Sequence, residues 1–290
     1  MYQEFLQYEV KDPQMDVNLL SQYQLTIKVS DAGVVILVSS VTDKKCLALE
    51  KHKFTTPTTS ENLSINLQNV WTSHSFLNAG YWNNVMVIFS NLKFAYVPTQ
   101  YINEPIKPEL FTQYNFQISE RETLNSYQID EVDATCFFAV NNDLFKWFEE
   151  IYPTPITKMV HETSMFIKSL LNTETKSNHI YINISDSIIT LINIKEKVLY
   201  YVNSFHFSSA EDILYTCSLV MDELNLDRRE AQLNIWGDIK NNDQTFNTLK
   251  AYFPEVVAGK RPAGVNFSFN FDEIEEHIHF DLFNTIGLNV

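Results

Sequence analysis

HIYINISDSIITLINI, from His179 to Ile194, decides the fold. Its apolar residues predict two strands joined by a tight turn at Ser185-Asp186-Ser187. Working outward, a third strand is expected from Val198 to Phe207, a helix from Ala210 to Leu224 and a fourth strand from Gln232 to Trp236. The helix carries its own signals. Ser208 with Glu211 three residues on reads as a capping box, and Ile213, Leu214, Cys217, Val220, Met221 and Leu224 form one stripe at helical spacing.

An earlier stretch, Tyr23 to Ser90, can be laid over this one. Leu25, Ile27 and Val29 alternate with Thr26, Lys28 and Ser30, the turn Asp31-Ala32-Gly33 follows, and Val34 to Val38 is a continuous apolar run. Gly33 is expected to supply the positive φ of that turn. A short third strand from Cys46 to Glu50, a segment from Ser60 that reads as a helix on Leu67, Val70 and Trp71 or as a strand on Leu63, Ile65 and Leu67, and a buried strand from Val85 to Phe89 complete the copy. A shift of 155 positions brings Ser30-Asp31 onto Ser185-Asp186. Each half then reads hairpin, strand, helix, strand, helix, and a repeated unit of this size is a duplicated domain rather than a solenoid repeat. The expected fold class is α/β with mixed sheets, two similar βββαβα halves facing a cleft.

Between the copies, Tyr127 to Asp130 and Thr135 to Val140 read as strands, and Asn141 and Asn142 can cap a helix that carries Leu144, Phe145, Phe148 and Ile151. Pro153 and Pro155 stop that helix, which sets the expected boundary between an N-terminal half, 1–152, and a C-terminal half, 153–290. A segment around Pro105, Pro108 and Phe111 is polar. A helix follows from Glu162 to Leu171. Phe246, Leu249 and Phe253 mark a short helix, Val265 to Phe269 alternates as a strand, and a last strand is expected between His277 and Phe283.

The formal charge of −15 and only four arginines leave no Lys/Arg run to track a phosphate backbone, which argues against nucleic acid and anionic membrane as partners. Cys46, Cys136 and Cys217 fit neither a disulfide framework nor a zinc signature and are expected to be reduced and buried. Met1 to Leu20 is a polar lead-in without the apolar run of a secretory signal, and no stretch reaches the length of a membrane span. The cytoplasm is the expected compartment.

Val202-Asn203-Ser204-Phe205, Glu211 to Tyr215 and Leu233 to Gly237 resemble bacterial domain-of-unknown-function family 3822, uncharacterised proteins with an actin-like ATPase (ribonuclease H-like, duplicated) fold. The resemblance implies that both hairpin turns approach nucleotide phosphates. Asp-x-Gly suits such a turn, because backbone N–H groups must come close to phosphate oxygens while a carboxylate holds water or Mg2+. Asp31-Ala32-Gly33 matches; Asp186-Ser187-Ile188 keeps the acid and lacks the glycine. The adenosine-binding turn, usually a glycine pair, is here Gly237-Asp238. Nucleotide contacts therefore fall on Asp31, Gly33, Asp186, Ser187 and Gly237, each of which is also an ordinary turn residue.

Three functions follow. The first is a non-catalytic protein that binds another protein or itself, with a degenerate nucleotide cleft. The second is an ATP-binding protein or weak ATPase using those residues with Mg2+. The third is a metal-dependent hydrolase on His277 and His279, which with Glu275 alternate along the expected last strand but lack a third ligand at recognisable spacing. His161 and His206 read as a helix-end and a strand histidine.

Overall fold

The computed structural model describes residues 4–55, 60–102, 112–113, 115–153, 157–240, 243–286 and 288. Pro105, Pro108, Phe111 and Pro155 lie outside these residues. The chain divides into two compact units, one of Met1–Met165, Gly264–Asp272 and Asn284–Val290, the other of Phe166–Ala263 and Glu273–Phe283.

The first unit is built on a six-stranded sheet. In chain order its strands are β1 (Glu4–Lys11), β2 (Tyr23–Val29), β3 (Gly33–Ser40), β4 (Lys45–Phe54), β5 (Asn84–Phe89) and β9 (Thr157–His161), with helix α1 (Ser60–Ser73) between β4 and β5. Their spatial order is β1-β4-β3-β2-β5-β9. β2 and β3 are buried at every position, so the alternation of Leu25, Ile27 and Val29 with polar residues marks two covered faces rather than one wet one. The hairpin closes on a two-residue turn, Asp31-Ala32, where Ser30 N–H donates to Gly33 O at 3.0 Å. β5 runs parallel to β2, and β9 parallel to β5.

Two strands here departed from expectation. β1 falls in the stretch expected to be a polar lead-in, and it pairs antiparallel with β4 from Glu4↔Phe54 to Lys11↔Ala48. Its charged residues and largely exposed side chains hide it from any pattern search. β9 is short, only five residues, and likewise carries no alternation of its own.

Between β5 and β9 lie β6 (Phe94–Pro98), β7 (Glu122–Ile129) and β8 (Ala134–Asn141), a separate sheet of order β6-β8-β7, and helix α2 (Asn142–Ile151). Asn141 caps α2 as expected, its side chain accepting from Asp143 and Leu144 N–H at 2.9 and 3.1 Å. An aromatic cluster of Trp71, Phe89, Trp147 and Phe148 packs edge to face beneath. Trp71 satisfies its indole N–H on the Tyr152 hydroxyl at 3.0 Å, and that hydroxyl donates to Leu77 O at 2.7 Å.

The second unit opens on helix α3 (Glu162–Leu171), within which the change of unit falls. Then come β10 (His179–Ser185), β11 (Ile188–Lys195), β12 (Val198–His206), α4 (Ala210–Glu223), β13 (Gln232–Gly237), α5 (Gln244–Tyr252) and β14 (Glu255–Ala258). The sheet order is β12-β11-β10-β13-β14. This matches β4-β3-β2-β5-β9 position for position, with the first three strands antiparallel and the last two parallel to the first of the hairpin. Ile180, Ile182, Leu233 and Ile235 pack against Ile213, Cys217 and Val220 of α4. Fully burying each such side chain contributes roughly 1.5–3 kcal/mol.

Three expectations for this part of the chain are corrected. The capping box is one residue later: Ser209 accepts from Asp212 N–H at 3.1 Å, and Asp212 accepts from Ser209 N–H at 3.0 Å. Val265 to Phe269 is not a strand; it makes a single parallel bridge, Lys45↔Asn266, before a 3-10 turn at Phe269–Glu273. His277 to Phe283 is a turn leading into the one-turn helix Phe280–Phe283. His279 through Phe283 are all buried, and a segment buried on every side carries no period by which to tell strand from helix.

Candidate functional site

In open α/β sheets ligands gather beyond the carboxyl ends of the parallel strands. In the first unit those ends are level: Val29 pairs with Phe89, and Phe89 with His161. Just beyond them lie Ser30, Ser90 and Glu162.

These positions are occupied by the protein's own polar groups. Lys28 Nζ stands 2.8 Å from Glu162 Oε2, both side chains buried. His161 Nδ1 accepts from Thr163 N–H at 3.3 Å, which assigns the ring proton to Nε2, and Nε2 donates to Asn91 O at 3.0 Å. Burial brings the pKa of His161 down to about 3, so the ring is neutral. The Tyr96 hydroxyl lies 2.9 Å from Thr163 Oγ1 and 3.1 Å from Ser164 Oγ. Burial drives Tyr96 well above the usual phenol value and Cys136 up to about 12. Ser90 Oγ is buried with no hydrogen-bond partner among the described residues.

At the first hairpin turn Asp31 is exposed. The Ala32 N–H donates to Ser30 Oγ at 3.3 Å, and Ala32 O accepts from Phe54 N–H at 2.9 Å. Gly33 does not take the positive φ expected of it. Its missing side chain serves β4 instead, since a Cβ would lie 2.3 Å from His52 O.

In the second unit the turn Asp186-Ser187 sits in the same hairpin register, closing Ser185↔Ile188. Here the acid itself takes φ +51°, a conformation Asp tolerates. Ser187 is exposed, and its carbonyl accepts from Phe207 N–H at 3.0 Å. Gly237 takes φ +102°, and a Cβ would come within 1.9 Å of Ile184 O. Asp238, exposed, donates its N–H to that same carbonyl at 2.7 Å. Trp236 stacks on Phe280 at 4.9 Å and donates to Lys260 O at 3.1 Å, while Gly259 makes room for the ring, 2.0 Å from where its own Cβ would be.

The structure thus places Asp31 and Gly33 at one set of strand ends and Asp186, Ser187 and Gly237 at the other, each within its own unit. Lys28, Ser90, His161 and Glu162 were not among the residues expected at a site. A lysine within an apolar strand run was the available signal for Lys28, and it reads as a solvent-facing residue until the sheet is known to be covered on both faces.

The expected histidine pair does not alternate on a strand. His277 is buried behind the end of β13: its O accepts from Gly237 N–H at 2.9 Å, and its Nε2 donates to Ile239 O at 2.5 Å. His279 follows at φ +60°. Among the described residues no group of three His, Cys, Asp or Glu could hold a metal. A groove of about 750 Å3 opens elsewhere in the first unit, beside β7, α2 and the start of β9, lined by Tyr127, Phe145, Glu149, Tyr152 and Lys158 among others. None of the expected site residues lines it.

The topology and the levelled strand ends define an actin-like ATPase fold, and solved structures agree. A Bacteroides thetaiotaomicron protein with actin-like ATPase fold and unknown function matches at TM-score 0.73 and 20% identity, covering 89% of this chain and 97% of that one. A PilM-PilN type IV pilus biogenesis complex matches at TM-score 0.56 and 10% identity, covering 92% and 99%. The ethanolamine utilization protein EutJ from Carboxydothermus hydrogenoformans matches at TM-score 0.50 and 7% identity, covering 96% and 92%. The chain belongs to the family described as Protein of unknown function (DUF3822), whose model matches residues 12–256. No curated protein matches it. Among the described residues no helix is long and apolar enough to cross a membrane.

Proposed function

We propose that this protein is a non-catalytic member of the actin-like fold that acts by binding another protein or a second copy of itself, at the expense of nucleotide hydrolysis. The observation that carries this is that Gly33, Gly237 and Gly259 each serve internal packing, against His52 O, Ile184 O and the Trp236 ring. A phosphate cradle needs glycines whose backbone is open to the ligand. The Lys28–Glu162 pair supports the same reading, because a carboxylate neutralised at 2.8 Å by an ammonium is a poor base for activating water. The equivalent strand orders support an internal duplication whose first copy runs through β9. An acidic chain with three buried thiols fits the cytoplasm.

Thermal melting with and without millimolar Mg-ATP, Mg-ADP or Mg-GTP tests the proposal. No change in Tm is expected. A ligand present far above its Kd adds RT ln(1 + [L]/Kd) to native stability and raises Tm by several degrees, and such a shift with any of the three overturns the proposal.

One observation favours a second reading, a Mg-ATP-binding protein or weak ATPase using Asp31, Asp186 and Ser187: the unpartnered Ser90 Oγ at the strand ends is a donor that a ligand oxygen would satisfy. A Tm rise with Mg-ATP that Ser90→Ala reduces is its signature.

A further inference from the structure

The small sheet of the first unit ends on β7, and the groove lies along that end. Asn125, Ser126, Tyr127 and Gln128 all line it. Successive side chains of a strand point to opposite faces, so a cavity that touches four residues in a row meets the strand edge-on, along its backbone. The bonding pattern says what that edge presents. Asn142 N–H donates to Arg121 O at 2.8 Å just beyond the pair Glu122↔Asn141, and Ala139 N–H turns the other way, to Lys93 O beside β6 at 3.0 Å. Ala139 is the partner of Leu124, so β7 exchanges bonds with β8 at its odd-numbered residues and not at its even-numbered ones. Leu124, Ser126 and Gln128 therefore aim their N–H and C=O groups outward, and among the described residues no strand takes them up.

Natural sheets guard such an edge with charge, proline, brevity or a bulge, because its open N–H and C=O groups form a template for another strand. From Thr123 to Gln128 there is no charged residue and no proline, and all eight residues of β7 pair with β8 without a register shift. The rest of the lining includes Phe145, Glu149 and Tyr152 of α2 and Lys158 and Met159 of β9, the last strand of the larger sheet. Phe145, Tyr152 and Met159 are buried or half-buried and make its deeper part apolar. A slot with main-chain donors and acceptors along one side and apolar surface below fits an extended peptide. A helix, whose backbone groups bond within itself, has nothing to offer that side.

We propose that this groove docks an extended, basic segment of a partner protein, which adds to β7 as a further strand of the small sheet. Charge selects the occupant. Exposed Glu149 stands on the lining, and at its Gln128 end β7 runs into Asp130, Glu131 and Asp133, all exposed. Among the described residues Lys158 is the only basic one on the lining. Lys146 and Glu150 of α2, exposed and four residues apart, offset one another. Lysine or arginine at the end of the guest nearest Gln128 meets those acids, while Ser126 and Gln128 hold its backbone. A second copy of this chain, itself carrying −15, meets a rim of its own sign.

The proposal rests on the partner-binding half of the function proposed above, and nucleotide plays no part in it, so the melting test and the following one fail separately. The probe is a library of random peptides of about twelve residues, displayed on phage and selected on the full chain. Selection is expected to yield peptides rich in Lys or Arg beside alternating apolar residues, with Kd below about 100 μM. Ser126→Pro removes one outward N–H and no bond to β8, so it should keep the parent Tm and weaken those peptides at least about tenfold. Ser126→Ala keeps the amide and should bind like the parent. Glu149→Lys should weaken the same peptides by a similar factor, and hydrogen exchange should slow at the amides of Leu124, Ser126 and Gln128 when peptide is added. If Ser126→Pro lowers the Tm, Glu149→Lys and the exchange pattern decide alone. No binder of that affinity, binders without net positive charge, binding unchanged in Ser126→Pro and Glu149→Lys, Ser126→Ala as weak as Ser126→Pro, or protection confined to other residues each overturns the proposal. The last of these leaves the partner-binding reading standing.

Discussion

Lys28 Nζ and Glu162 Oε2 lie 2.8 Å apart inside the first unit, with side chains 10% and 2% exposed. One comes from the next-to-last position of β2, the other from the first position after β9, and only the parallel run β2-β5-β9 brings them together. Lys28→Met leaves a buried carboxylate without its ammonium and is expected to cost about 3–5 kcal/mol. Lys28→Met with Glu162→Leu removes both charges and should recover most of that loss. Urea unfolding of the two singles and the double, read as a double-mutant cycle, measures the coupling; single variants costing under about 1 kcal/mol would show the pair to be incidental.

Acid should unfold the protein in two overlapping stages. The unfolded chain protonates His161 near pH 6.5, whereas the native ring, desolvated, resists until about 3. Between those values the unfolded state binds the extra proton, so native stability rises with pH by about 1.4 kcal/mol per unit from this group alone. Glu50 works over a lower range. Burial pushes it toward the neutral form, but hydrogen bonds from His52 and His74 and the charges of His74 and Lys11 prevail, leaving its carboxyl well below the usual value. Its contribution is complete above the unfolded pKa of 4.5 and is lost as pH falls below that. Urea midpoints from pH 7 to pH 3 should therefore decline first in a range that His161→Gln flattens, and then in one that Glu50→Gln flattens. A decline identical in both variants and the parent contradicts the assignment.

Gly237 and Gly80 make a matched pair of tests. A Cβ at 237 would collide with Ile184 O, and the backbone there sits at φ +102°, so Gly237→Ala is expected to cost more than about 3 kcal/mol or to abolish folding. A Cβ at 80 meets nothing within 4 Å, so Gly80→Ala should be neutral or stabilising by up to about 1 kcal/mol. Thermal melts of the two purified variants decide it.

The thiols should be silent until the chain opens. Cys46, Cys136 and Cys217 are all buried, and burial pushes the last two up to about 12. A disulfide reagent that requires thiolate should titrate none of the three in native protein and all three in guanidinium. Rapid reaction of any of them at neutral pH in the native state would contradict this burial.

Wherever two neighbours along the chain decide a conformation, the sequence was enough. The turns Asp31-Ala32 and Asp186-Ser187, the strands on either side and the Asn141 cap all follow from residue type and short-range periodicity, because a hairpin or a cap is a local bargain between adjacent backbone groups. So too does α4, with its cap misplaced by one residue because serine occupies both 208 and 209.

What the tertiary structure alone decided is every matter settled by a distant partner. β1 has little apolar pattern and becomes a strand only because β4 offers it an open edge. Gly33 marks the close approach of β4 rather than a left-handed turn, and His277 holds the end of β13 through its backbone carbonyl. Lys28 reads locally as a wet residue and is buried, because its strand is covered on both faces and Glu162, far along the chain, meets its ammonium. The sequence carries these facts only through contacts between residues far apart in the chain, and no window of neighbouring residues contains them.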